Sequence, residues 1–294
     1  MKFALHFGNN TFPKPDDARR IARLAEAAGF DSIFAVDHVV LPYSYDSRYP
    51  YAASGRIPGG PDSPIPDPMI WMTWIAAATT KLRFMTGVII LPLRNPLVLA
   101  KQVATLDLLS GGRVELGIGV GWLKEEFDAL GVPFDKRGKR SDEYIRILRA
   151  AWKDGPTSFA GEFLQFDEMG VFPKPVGNDV PIVIGGHSDA AARRAGRLGD
   201  GFFPSISTQT DIQPLLDLVH RSAEQAGRDP RRIELITGCA GVLPKSGQDP
   251  HAAVEERLKR GVGRIAVPVW AFRENYEEGL ASFGETVIRP FANV

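Results

Sequence analysis

Short apolar runs alternate along the chain with stretches whose apolar positions recur every three to four residues. The first kind of pattern reads as a buried strand and the second as an amphipathic helix. "KFALHF" is a strand. "PDDARRIARLAEAAGF" is a helix, with Ile21, Leu24, Ala25 and Ala28 on one face and Gly29 closing it. "SIFAVDH" is the second strand, and a helix from about Pro68 to Thr80 leads into the third, "LRFMTGVIILP". "PLVLAKQVATLDLLSGG" is a helix, with Pro96 at its start and Gly111 at its end. "VELGIGVG" is the fourth strand, followed by helical patterns over Leu123–Leu130 and Lys136–Trp152.

The second half continues the alternation. Strands are predicted at "PIVIGG", "GFFPS", "RIELITGC" and "RIAVPVW". Helices are predicted at "DAAARRAGRLG", from about Asp211 to Ala226, at "AAVEERLKRG", and from about Asn275 to Phe291. Eight strand–helix units in 294 residues is the arithmetic of an α/β fold of the (β/α)8 TIM-barrel type. A doubly wound sheet has similar units but rarely eight. No linker or break in composition interrupts the pattern, so residues 1–294 read as a single domain.

Two insertions depart from the repeat. Tyr43–Asp67 follows strand 2 and is rich in Tyr, Pro and Gly. Gly155–Val180 precedes strand 5 and holds "EFLQFDEMGVF", a candidate hairpin. Long loops in compact domains tend to be functional. The first insertion leaves a strand at its C-terminal end, where barrels keep their active sites, and so reads as a lid or substrate wall; the alternative is a plain surface excursion.

Composition narrows the classes. Lys plus Arg number 35 and Asp plus Glu number 35, which leaves no basic footprint for nucleic acid or an anionic membrane. Cys239 is the only cysteine, so an intramolecular disulfide and a Cys-based metal cluster are excluded. A cytoplasmic setting fits that usage. The N-terminus "MKFALHFGNN" lacks the apolar core of a signal peptide, and no apolar run approaches the ~20 residues of a membrane span.

In a barrel, the C-terminal strand ends meet at one mouth. Asp37 and His38 end strand 2. Thr86, Gly87 and Val88 lie where strand 3 passes the rim. Gly121 and Trp122 end strand 4, Gly185 and Gly186 end strand 5, and Pro204 and Ser205 end strand 6. His38 is the candidate for proton chemistry, because an imidazole gives or takes a proton near neutrality and an adjacent carboxylate tunes it. His6 reads as a barrel-interior residue, while His220 and His251 read as solvated. No metal-ligand spacing such as HExxH occurs. "IGGHSDAAARRAG", through His187, has glycines ahead of a helix N-terminus and can hold a phosphate; a tight turn with Ser188 as N-cap is the other reading. "GIGVGW" has Gly117, Gly119 and Gly121, which is not the dinucleotide spacing GxGxxG. Alternate glycines on strand 4 are expected to leave room for a flat ring close to the backbone.

Thr86–Arg140, "TGVIILPLRNPLVLAKQVATLDLLSGGRVELGIGVGWLKEEFDALGVPFDKRGKR", resembles the bacterial luciferase-like flavin-dependent superfamily, most closely its coenzyme F420-dependent branch. "VDHVVLP", "GRIPGGPDSPIPDP" and "ARRAGRLGDGFFP" are similar to that branch as well, and the resemblance weakens after about residue 230. It implies a TIM barrel with a flavin-like ring at the mouth, packed on a non-proline cis peptide at Gly87–Val88. It implies Asp37 at the polar edge of the ring and His38 as the proton partner of the substrate. Gly185 and Gly186 would hold the phosphate or ribityl chain. Thr86, Gly121, Trp122, His187 and Ser205 complete the expected cofactor site. A homodimer is the state the resemblance implies.

Two positions depart from the sugar-phosphate dehydrogenases of that branch. Trp122 stands where those members have Glu, and the loop after strand 6 reads "PSIST" where they have Lys. A glucose-6-phosphate-type substrate is therefore not expected, and Trp122, with Tyr43, Tyr45, Tyr49 and Tyr51 of the first insertion, points to a more apolar or aromatic one, although Trp122 can equally be a packing residue. The expected activity is F420-dependent hydride transfer. The alternatives are FMN-dependent two-component monooxygenation on the same fold, and a non-catalytic flavin-binding relative.

Overall fold

The computed structural model describes residues 1–204 and 212–292. Eight parallel strands close a barrel. They are β1 (Lys2–His6), β2 (Ser32–Ala35), β3 (Arg83–Thr86), β4 (Val114–Gly119), β5 (Ile182–Gly185), β6 (Gly201–Phe203), β7 (Glu234–Gly238) and β8 (Val262–Pro268). Each pairs with its sequence neighbours, and β1 pairs with β8 to complete the ring. The helices α1 (Pro15–Ala28), α2 (Pro68–Ala76), α3 (Pro96–Ser110), α4 (Arg137–Trp152), α5 (Asp189–Leu198), α6 (Gln213–Gln225), α7 (Pro250–Lys259) and α8 (Tyr276–Phe283) surround it.

Local chemistry places the helix ends. Asp67, Asn95, Ser188, Asp249 and Asn275 each accept backbone N–H groups of the first turn with their side chains, satisfying donors that the helix itself cannot. Pro68, Pro96 and Pro250 occupy the first helical turn, where a missing N–H costs nothing. Gly111 ends α3 in the left-handed region at φ 73°.

The barrel interior follows from strand alternation. Ala4, Phe34, Met85, Val183, Phe203, Ile236 and Ala266 form a separate buried cluster inside the ring, with Val88 packed on it. At the N-terminal end, Arg264, buried to 1% exposure, is bonded to Ser32 and paired with Glu115, Glu234 and Asp31. Those carboxylates raise its pKa against the opposing effect of desolvation. The larger core lies between the strands and the helices.

Several elements differ from the sequence pattern. The third strand breaks at Gly87–Val88, which is a non-proline cis peptide, and resumes as Ile89–Ile90 beside β4. The final helix ends as an α-helix at Phe283. Gly284 then passes so close to α1 that a Cβ there would stand 2.4 Å from the Ala28 carbonyl oxygen, and the chain continues as π and 3-10 turns. The hairpin pairs Thr157–Ala160 with Gln165–Met169, so its first strand lies ahead of the predicted stretch. Its turn is held from α4 by Glu143, whose carboxylate accepts the N–H groups of Glu162, Phe163 and Leu164. The sixth strand ends at Phe203, and Ser205 lies outside the described residues.

Candidate active site

The alternate glycines of β4 have a use the pattern did not suggest. A Cβ on Gly117 would stand 1.9 Å from the Thr86 carbonyl oxygen, and one on Gly119 would stand 2.8 Å from Val88 Cγ2. On β5, a Cβ on Gly185 would stand 2.7 Å from Val88 Cγ1. These glycines therefore accept the bulge of the third strand and seat the Val88 side chain. The room expected there for a flat ring is occupied by protein, and it is the half-buried Gly87–Val88 bulge that faces the mouth. Thr86 is fully buried beneath it and donates to the Gly117 carbonyl oxygen at 2.6 Å. Gly121 turns the chain at φ 79°, leading to Trp122 at the rim.

His6 supports the bulge from β1, two strands away, across the barrel interior. Its Nε2 is 3.2 Å from the Gly87 carbonyl oxygen, and its ring lies among Phe7, Phe34 and Phe203. Burial among those rings lowers its pKa to about 4, so the imidazole is neutral at physiological pH. Its Nδ1 is buried and has no hydrogen-bond partner among the described residues.

Asp37 points away from water. One oxygen accepts the Ile90 N–H at 3.0 Å and the other accepts Arg94 Nη2 at 2.7 Å. Arg94 also donates to Asp67 at 2.8 Å. Desolvation raises the Asp37 pKa, opposed by Arg94 and by the Ile90 bond. Asp37 thus ties the end of β2 to the segment following the bulge and to the N-cap of α2.

His38, by contrast, lies at the rim. Its Nδ1 is 2.8 Å from Glu126 Oε2, and the Glu126 side chain is fully buried. Glu126 Oε1 accepts the N–H groups of Val39 at 2.7 Å and Val40 at 3.3 Å. With the carboxylate accepting from Nδ1–H, Nε2 of the neutral ring keeps its lone pair. Glu126 belongs to the short helix Lys124–Ala129 after β4. The sequence reading passed over it, although it stands in the apolar stripe of Leu123, Phe127 and Leu130, where an acid is out of place.

The first insertion crosses the mouth. The N–H groups of Asp46 and Ser47 donate to Glu125, and Lys124 N–H donates to the Ser47 hydroxyl. Tyr45 and Tyr49 meet the Trp122 ring edge-on, and Tyr51 meets His187 at 5.0 Å between centroids. Gly185, Gly186 and His187 reach this rim ahead of α5, whose N-cap Ser188 accepts the Ala191 N–H. His187 Nδ1 is buried and unpartnered among the described residues. The structure thus gathers His38, Val88, Gly121, Trp122, Gly185, Gly186 and His187 about one opening, and sets Asp37 and Thr86 behind it. Among the described residues no group of three His, Cys, Asp or Glu side chains is placed to hold a metal ion, and no helix is long and apolar enough to cross a membrane.

Residues 3–283 match the model of the luciferase-like monooxygenase family. The chain belongs to that family. A relative in Mycobacterium tuberculosis, an uncharacterized protein, is 38% identical over 218 residues, which is 74% of this chain and 75% of the relative. An FMNH(2)-dependent dimethylsulfone monooxygenase of Pseudomonas fluorescens is 31% identical over 211 residues, 71% of this chain and 53% of that protein. Among solved structures, monooxygenase RslO1 from Streptomyces bottropensis superposes with a TM-score of 0.78 at 23% identity, covering 99% of this chain and all of that one. The coenzyme F420-dependent tetrahydromethanopterin reductase from Methanopyrus kandleri follows at 0.75 and 19%, covering 99% of each chain. At those identities the superpositions show the barrel fold alone and leave the cofactor open.

Proposed function

We propose that this luciferase-like protein is an oxidoreductase that moves a hydride between coenzyme F420 and an organic substrate, with His38 as the proton partner. The observation that carries the reading is the His38–Glu126 pair at the rim. Hydride transfer to a carbonyl, or from an alcohol, needs a proton delivered or removed at the oxygen. An imidazole whose Nδ1 is braced by a buried carboxylate leaves Nε2 to take up or return that proton.

The residues at the mouth fit a flat tricyclic cofactor. Val88 and Gly87 present an apolar floor, and the backbone at Gly185 and Gly186 with His187 Nδ1, unpartnered among the described residues, would hold its polar chain. When bound, a deazaflavin supplies hydride chemistry and reacts poorly with oxygen. Asp37 and Arg94 fix the Ile90 backbone, and so the floor. The Tyr-rich insertion lies over this opening through the contacts of Tyr45 and Tyr49 with Trp122 and of Tyr51 with His187.

A second reading, reduced-FMN-dependent monooxygenation, is supported by the dimethylsulfone monooxygenase relative. Fluorescence titration of the purified protein with F420 and with FMN separates the two. Tight F420 binding with none of FMN is expected, and the reverse order overturns the first reading. His38→Ala is expected to leave F420 affinity within about twofold while turnover falls by about 100-fold or more. Unchanged turnover would remove His38 from the chemistry.

A further inference from the structure

The wall above His38 is a continuous run of rings. His38 meets Trp122 at 6.0 Å between centroids, and Trp122 meets Tyr45 at 5.8 Å and Tyr49 at 5.2 Å. Tyr49 meets Tyr51 at 5.3 Å. Interplanar angles of 64° to 82° in the three Trp122 contacts make them edge-to-face pairs. The tyrosines come from the loop after β2 and the tryptophan from the end of β4, so two distant segments build one surface.

The polar atoms of this wall are unevenly matched. The Tyr45 hydroxyl accepts the Ile57 N–H, and Arg56 lies over the Tyr45 ring while donating to the Tyr45 carbonyl oxygen. The Tyr49 hydroxyl and the Trp122 Nε1–H have no hydrogen-bond partner among the described residues, although both side chains are half-buried. Burial pushes the Tyr49 phenol up to about 12, so it stays a neutral donor throughout the physiological range. The carboxylates that flank the wall are already engaged. Asp37 and Asp67 hold Arg94, Glu126 holds His38 and two backbone N–H groups, and Glu125 holds two more.

We infer that the site takes an uncharged, planar aromatic or conjugated substrate bearing a carbonyl or hydroxyl oxygen, and that Tyr49 and Trp122 are the donors that select it. The inference rests on the reading of His38 given above. A flat unsaturated ring gains from each aromatic neighbour beyond area burial. A donor that a bound ring covers without pairing it penalises the hydrocarbon analogue that lacks the oxygen. A phosphorylated sugar has no flat unsaturated face to set against these rings.

Calorimetric titration of the purified protein, alone and with saturating F420, against acetophenone, ethylbenzene and glucose 6-phosphate tests this. Acetophenone is expected to bind at least about tenfold more tightly than ethylbenzene, and the sugar phosphate not at all. Tyr49→Phe should weaken acetophenone by about threefold to tenfold. Ethylbenzene affinity should hold within about twofold in that variant, which reports that the wall persists. Trp122→Phe should act in the same direction. Tighter binding of the sugar phosphate, an acetophenone-to-ethylbenzene ratio unmoved by Tyr49→Phe, or no binding of acetophenone overturns the inference. The assay needs no turnover. Loss of this selectivity with F420 binding intact sinks the substrate class alone, and loss of F420 binding with selectivity intact sinks the cofactor reading alone.

Discussion

Replacing Glu126 by Gln turns one carboxylate oxygen into an NH2 group at a fully buried position. The environment dictates which oxygen is lost. An NH2 facing Val39 and Val40 would oppose two backbone donors, at 2.7 and 3.3 Å, so the amide oxygen must stay there. The NH2 then faces His38 Nδ1 at 2.8 Å and can only donate to it. His38 must adopt the other tautomer, with Nε2 protonated and its lone pair on the side away from the mouth. Two bonds to a charged acceptor become bonds to a neutral one, and the third, to His38, reverses direction. At about 1 kcal/mol each, the loss of stability is roughly 3 kcal/mol. Proton abstraction by His38 is blocked at the same time, which costs about 100-fold or more in turnover. Long-range proton–nitrogen correlation spectra of labelled histidine report which nitrogen carries the proton, and urea denaturation reports the stability. A wild-type tautomer in the variant would refute the geometry. So would turnover losses of Glu126→Gln and His38→Ala that simply add in the double variant, because groups acting as one unit do not add.

Three further outcomes follow from the packing. Asp37→Asn takes one of two carboxylates from the Arg94 guanidinium and is expected to lower stability by about 3 kcal/mol, read from the denaturant midpoint. Gly185→Ala places a methyl 2.7 Å from Val88 Cγ1 and should cost about 1–3 kcal/mol; Val88→Ala in the same chain should recover most of it, and no recovery would disprove the seat. His6 has a folded pKa of about 4, below the ordinary value of 6.5, so the unfolded chain takes up its proton first as pH falls. The stability it contributes is complete above pH 6.5 and lost towards pH 4, about 3 kcal/mol in all. A His6→Gln variant, compared by urea midpoints across that window, should lack this slope.

Much of the site was legible without coordinates because barrel topology turns sequence position into spatial position. Strand ends gather at one mouth, so His38, Val88, Trp122 and Gly185 could be placed together from the strand pattern alone. What escaped was pairwise. Glu126 interrupts the apolar stripe of its short helix, and Arg94 lies between the third strand and the helix that starts at Pro96, but neither position names its partner. Each acquires its role from a partner 88 and 57 residues away, respectively. Periodicity reports only which face of an element is apolar. It says nothing of which carboxylate meets which imidazole.

The chain's own pattern of apolar residues, helix caps and turn glycines determined the eightfold alternation, because those preferences act within a few residues. The tertiary structure alone decided that Val88 sits in the gaps left by Gly119 and Gly185, that Asp37 turns inward to Arg94, and that His38 leans on Glu126. Those choices depend on the register between strands and on how close two backbones can approach. Both are settled only when the whole ring closes.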